Sequence, residues 1–162
     1  METPKMSKIL IALDFDPTAQ KVAEVGFSLA KTMGAEITLL HVIVDPVFYS
    51  SYENFPLLGF YGTTETTPLH WNNAEELYRS SQHFLDKMKH HLGDEAIQTI
   101  IKDGNHAETI LKTAKLLNID VIVMGSHSHK WLENILVGSV TEEVLRKTTI
   151  PVFIVPTQKH KK

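Results

Sequence analysis

The sequence predicts an α/β fold, a single domain over residues 1–162 in which five parallel strands form a doubly wound sheet with helices on both faces. Three observations carry this expectation. Short apolar runs of strand length recur along the chain, and segments with helical apolar spacing separate them. In addition, the buried-type run Val121-Ile122-Val123-Met124 empties into the small-residue turn Gly125-Ser126-His127-Ser128, and Gly138-Ser139 then opens a helical pattern.

The elements follow in order. Ile9-Leu10-Ile11-Ala12-Leu13 is continuously apolar, as in a strand covered on both faces. Asp16-Pro17 reads as N-cap and first-turn proline of a helix with Val22, Gly26, Ala30 and Met33 on its inner stripe, closed by Gly34. A strand over 36–42 feeds the long segment 44–68, which has no clear pattern of its own and is read as a functional flap or a partly disordered loop. Its Phe48, Tyr49, Tyr52, Phe55, Phe60 and Tyr61 call for a surface to bury them.

The spacing of Ala74, Leu77, Leu85, Met88 and Leu92 predicts a helix over 71–92, ended by Gly93. After a strand over 96–102 and Gly104, Asn105-x-x-Glu108 has the form of a helix cap, and the helix runs through Ala107, Ile110, Leu111, Ala114 and Leu117. A fourth strand at 120–124, a helix from Gly138-Ser139 to Lys147 and a last strand at 150–155 complete the series.

Composition narrows the function. With Lys+Arg 16 against Asp+Glu 19, the net charge of -3 gives no global attraction for nucleic acid or anionic membrane. Lys159-His160-Lys161-Lys162 reads as the end of a frayed, solubilising tail over 157–162. The lack of cysteine excludes disulfides, zinc–thiolate sites and thiol catalysis. Neither a signal-peptide core nor an apolar run of membrane-spanning length is present, so a cytoplasmic location is expected.

The residues with chemical potential cluster at strand ends. Gly125-x-x-Ser128-x9-Gly138-Ser139 can form a phosphate cradle, because glycine permits close approach and the first amides of a helix lack partners. The same residues admit a second reading, in which Ser139-x-x-Glu142 is a capping box that satisfies its own helix. Asp14, beside a helix that Asp16 is expected to cap, is placed either to accept from ribose hydroxyls or to brace its own turn. His127-Ser128-His129 has no visible third ligand, which favours an anion-facing role over a metal site. His41 reads as an interior or strand-end histidine. Gly-x-Ser-x-Gly, a Walker loop and Gly-x-Gly-x-x-Gly are all absent, so no catalytic residue and no metal site are assigned.

Taken together, the chain resembles the universal stress proteins along nearly its whole length. The likeness is carried by Lys8-Ile9-Leu10-Ile11-Ala12-Leu13-Asp14, by Ala35-Glu36-Ile37-Thr38-Leu39-Leu40-His41-Val42 and by Asp120-Val121-Ile122-Val123-Met124-Gly125-Ser126-His127. Leu136-Val137-Gly138-Ser139-Val140-Thr141-Glu142-Glu143-Val144-Leu145-Arg146 and Ile150-Pro151-Val152-Phe153-Ile154-Val155-Pro156 complete it.

The resemblance implies strand order 3-2-1-4-5, pairing of two copies through the last strand, and an adenine nucleotide site. By position, Asp14 would contact ribose, the Val42 backbone would read the adenine edge, and Ala12 and Met124 would line the base pocket. Gly125 would lie against ribose, with Ser128, Gly138, Ser139 and Val140 at the phosphates. Ser128 stands where the family motif has its second glycine, and Ala12 where many members have proline. The function so implied is a stress-response homodimer that binds ATP, with or without Mg²⁺, or AMP, and signals to an unknown protein partner. The alternatives are an interaction protein of the same fold that binds no ATP, and a slow ATPase.

Overall fold

A computed structural model describes residues 2–43, 74–126 and 137–157. Segment 44–68, Trp71, the turn with His127, Ser128 and His129, and the tail beyond Thr157 therefore lie outside the described residues. Strands β1 (Lys8–Leu13), β2 (Glu36–Ile43), β3 (Gln98–Asp103), β4 (Val121–Gly125) and β5 (Val152–Val155) form one sheet. All pairings are parallel and the order is β3-β2-β1-β4-β5, as the sequence reading expects. Between them run helices α1 (Ala19–Met33), α2 (Ala74–Leu92), α3 (His106–Leu116) and α4 (Ser139–Lys147).

Strand alternation sorts the apolar residues into two cores. Ile9, Ile11, Leu39, Val121 and Val123 pack against Ala23 and Ala30 of α1 and Phe84, Leu85 and Met88 of α2. On the opposite face Leu10, Leu40, Val42, Ile122 and Met124 pack against Ala107, Ile110 and Ala114 of α3 and Val144 of α4. Helices thus cover both faces. Gly26 lets α1 approach closely, for a Cβ there would stand 2.7 Å from Ile11 Cδ1 and 3.2 Å from Val123 Cγ1.

Several boundaries differ from those the pattern predicts, and local hydrogen bonds explain why. Asp16 does not cap α1 directly. Its carboxylate accepts from the Thr18 amide at 2.8 Å, its carbonyl accepts from the Ala19 amide at 2.9 Å, and the helix begins after that turn, with Thr18 at the N-cap position. At the other end of the chain, the Thr148 hydroxyl donates to the Ile150 carbonyl and accepts from the Ile150 amide, so β5 starts only at Val152. Asn105 behaves as expected: its side-chain oxygen accepts from the Glu108 amide at 3.0 Å.

The amino ends of β1 and β4 are stapled by Asp120, which accepts from the Ser7 and Lys8 amides at 2.8 and 2.9 Å. Those bonds, the one from Ser7 foremost, hold its carboxyl below the usual aspartate range. Among the described residues no helix is long and apolar enough to cross a membrane.

Candidate functional site at the carboxyl ends of the strands

β1 lies between β2 and β4, so the chain winds one way from β1 to β3 and the other way through β4 and β5. Open α/β sheets leave a crevice at such a reversal, beyond the strand carboxyl ends. Four of the residues singled out in the sequence come together on one face of the sheet. Ala12, Val42, Met124 and Val140 belong to one apolar cluster, on the sheet face covered by α3 and α4. They come from three strand ends and one helix start, and alternation turns the three strand residues to the same side.

The Ile43 carbonyl turns toward β3, where it accepts from the Gly104 amide at 3.1 Å. Successive residues of an extended strand turn their backbone groups to opposite edges, so those of Val42 face β1, whose last paired residue, Leu13, stands opposite His41.

The end of β4, at Gly125 and Ser126, is tied to the start of α4 by two bonds that bracket the turn between them. The Thr141 hydroxyl donates to the Gly125 carbonyl at 2.9 Å, and the Gly138 amide donates to the Ser126 carbonyl at 3.0 Å. Ser126 is anchored in turn to the end of β5: its amide donates to the Val155 carbonyl at 3.0 Å, and its Oγ accepts from the Thr157 amide at 3.0 Å. Thr157 is consequently only 5% exposed. Sequence reasoning missed Thr141, Ser126 and Thr157, whose only signal is a hydroxyl beside each segment of the glycine motif.

The capping-box reading of Ser139 does not hold. Gly138 occupies the N-cap position, no side chain among the described residues caps α4, and Ser139 is the first helical residue. Glu142 instead reaches Arg146 and Glu143 reaches Lys147, both at 2.7 Å, one turn further on. Among the described residues the first amides of α4 have no side-chain partner, and amides so placed can meet a ligand or water. Ser139 and Val140 line an open cavity of about 380 Å³, together with Gly104, Asn105, His106 and Ala107 at the start of α3 and Glu143. That volume lies within the roughly 300–1,000 Å³ typical of small-molecule sites. Gly104, at φ +134°, turns the chain out of β3 in a conformation that side chains rarely adopt.

Asp14 follows directly on β1. Its Oδ1 accepts from the Asp16 amide at 3.2 Å, so the turn-bracing role is present, and the half-buried residue sits where β1 ends. Ser128 is outside the described residues. No group of three or more His, Asp or Glu that could hold a metal exists among the described residues.

Fold and crevice together define a doubly wound α/β protein of the class whose ligands sit at the switch between β1 and β4. Comparison with known proteins narrows the class. Residues 6–156 match the Universal stress protein family. Universal stress protein MJ0577 of Methanocaldococcus jannaschii is 34% identical over 152 residues, which span 91% of this chain and 93% of that protein. The solved MJ0577 structure aligns with a TM-score of 0.70 at 29% identity, covering 96% of this chain and 99% of its own. Two more distant structures share the fold. One is a universal stress protein in complex with cAMP, with TM-score 0.65, 15% identity and coverage of 96% and 100%. The other, from Archaeoglobus fulgidus in complex with dAMP, has TM-score 0.59, 17% identity and coverage of 93% and 98%. The chain belongs to the universal stress protein family.

Proposed function

We propose that this protein binds an adenine nucleotide, AMP or ATP, as a regulatory ligand in the crevice between β1 and β4. The observation that carries the reading is the convergence of Ala12, Val42 and Met124 on one apolar cluster beside the uncapped start of α4, where Ser139 and Val140 line the cavity. Such a site offers an apolar slot for a base and free amides with a positive dipole end for phosphates. Asp14, at the rim, suits the ribose hydroxyls. The cAMP and dAMP complexes of distant relatives support the same ligand class.

We read the nucleotide as a regulatory ligand. Backbone amides and hydroxyls at the start of α4 suit phosphates, while His106 and Glu143 complete the cavity wall. Mg²⁺ would accompany ATP through its phosphates. We place the protein in the cytoplasm and read it as a homodimer paired through β5, whose outer edge has no strand beside it among the described residues. A change in that dimer would be the signal to a protein partner.

Native mass spectrometry of freshly purified protein, followed by calorimetric titration with AMP and ATP, tests the reading. Co-purified nucleotide, or saturable binding lost in Gly138→Val, supports it. No binding of either nucleotide by folded protein would leave the interaction-protein reading in its place.

A further inference from the structure

Asp14 has two chain neighbours, and a single side chain of β2 holds both of them. His41 is 1% exposed, and its Nδ1 lies 2.8 Å from the Leu13 carbonyl. A carbonyl can only accept, so Nδ1 carries the hydrogen. The same imidazole packs on Phe15, with ring centroids 4.3 Å apart and planes tilted by 45°. Phe84 of α2 closes the group edge-on, 5.9 Å from His41 and 5.2 Å from Phe15.

This arrangement has a cost. The tautomer that serves Leu13 leaves Nε2 as a bare acceptor, buried with no hydrogen-bond partner among the described residues. Such an unsatisfied group opposes folding, and leucine or phenylalanine would fill the space without it. Leucine would forfeit the whole grip, and phenylalanine or glutamine half of it each: phenylalanine has no donor for Leu13, and glutamine has no ring for Phe15. Histidine does both, and what lies between the two contacts is Asp14.

We propose that His41 is a positioning residue of the nucleotide site, holding Leu13 by a hydrogen bond and Phe15 by ring packing so that the Asp14 carboxylate stands at the rim of the crevice. The proposal rests on the adenine-nucleotide reading for its consequence, and on the ligand-free protein for its geometry. His41 touches no ligand itself. It acts through Asp14.

The test uses His41→Leu, His41→Phe and His41→Gln, each with Asp14 and with Asp14→Ala. AMP affinity, by calorimetry, should fall about tenfold or more in His41→Leu and by smaller factors in the two half-grip variants. In the Asp14→Ala background the same His41 substitutions should change affinity little, because the group they position is gone. Three-bond NMR couplings across the Asp14 Cα–Cβ bond give a readout in ligand-free protein: one side-chain rotamer in the wild type, averaging in His41→Leu.

Should His41→Leu fail to fold, the phenylalanine and glutamine variants carry the same comparisons. Equal loss of affinity with and without the Asp14 carboxylate would overturn the proposal. So would an Asp14 rotamer unchanged in every folded His41 variant. If the wild type binds neither nucleotide, the nucleotide reading fails, while the couplings still decide the role of His41.

Discussion

The Thr141 hydroxyl, in the first turn of α4, donates to the carbonyl of Gly125 at the end of β4 across 2.9 Å. Thr141 is 2% exposed, so the bond is shielded from water. It sets the distance between the two glycine segments of the motif whatever the intervening turn does. Thr141→Val keeps the shape but leaves the Gly125 carbonyl without this donor, and should destabilise the fold by about 1–2 kcal/mol. Nucleotide affinity should fall as well, and Thr141→Ser should restore most of both. Urea unfolding and calorimetry of the two variants check this; a valine variant with full affinity would show that the tie is structural alone.

Two aspartates mark opposite ends of the sheet and should separate stability from binding. Asp120 receives two backbone amides at the amino ends, far from the crevice. Asp120→Ala is expected to lower stability by about 1–2 kcal/mol and leave nucleotide affinity unchanged. Asp14→Ala should do the reverse, weakening nucleotide binding by roughly 1.5–3 kcal/mol, the scale of a charged hydrogen-bond partner, with a small change in melting temperature. A large fall in melting temperature with unaltered affinity would make Asp14 a turn brace only. For Asp120 the lowered carboxyl means that its stabilisation is present above the normal aspartate range and is lost as pH falls below it.

The sheet and its winding were legible because each strand is an apolar run and each helix carries a spaced apolar stripe. The meeting of Ala12, Val42 and Met124 on one face follows from two-residue alternation once the strand order is known. What escaped was long-range and polar. Nothing in the run Leu39-Leu40-His41-Val42 says that an imidazole reaches the end of another strand, because that depends on the Leu13–His41 register. Ser139-x-x-Glu142 has the letters of a capping box, yet Gly138 takes the cap position and Glu142 prefers Arg146. Local pattern cannot rank those partners, since each costs little and the surrounding backbone chooses.

His41 should also shape the acid limb of stability. Burial, only partly offset by the bond to Leu13 and reinforced by nearby His106, lowers its pKa from 6.5 to about 4. Between those values the unfolded chain takes up a proton on this residue and the folded protein does not. The contribution of His41 to stability is therefore full above about pH 6.5, falls by at most about 1.4 kcal/mol per unit as pH drops, and is lost near pH 4, a change on the order of 3 kcal/mol. His41→Leu should flatten that window by the same amount, read from urea midpoints at pH 7 and pH 5. An identical slope in wild type and variant would place the acid sensitivity on other groups.

Phe153 offers the sharpest test of the proposed dimer. It lies in β5 at the edge of the sheet, paired on one side with Val123, and is 40% exposed, while Val152 and Ile154 on the same strand pack inward against the α3–α4 core. An apolar ring beside an open row of backbone groups is an aggregation hazard in a monomer, and a second copy would cover both. Phe153→Lys removes little internal packing, so the fold should survive while the edge becomes charged and self-pairing is repelled. Sedimentation at micromolar concentration should then show dimeric wild type and monomeric variant with similar circular dichroism. Val152→Lys, by contrast, should unfold or precipitate, because it forces a charge into the core. A Phe153→Lys protein that remains dimeric would move the interface away from β5, and a monomeric wild type would remove the dimer from the proposal altogether.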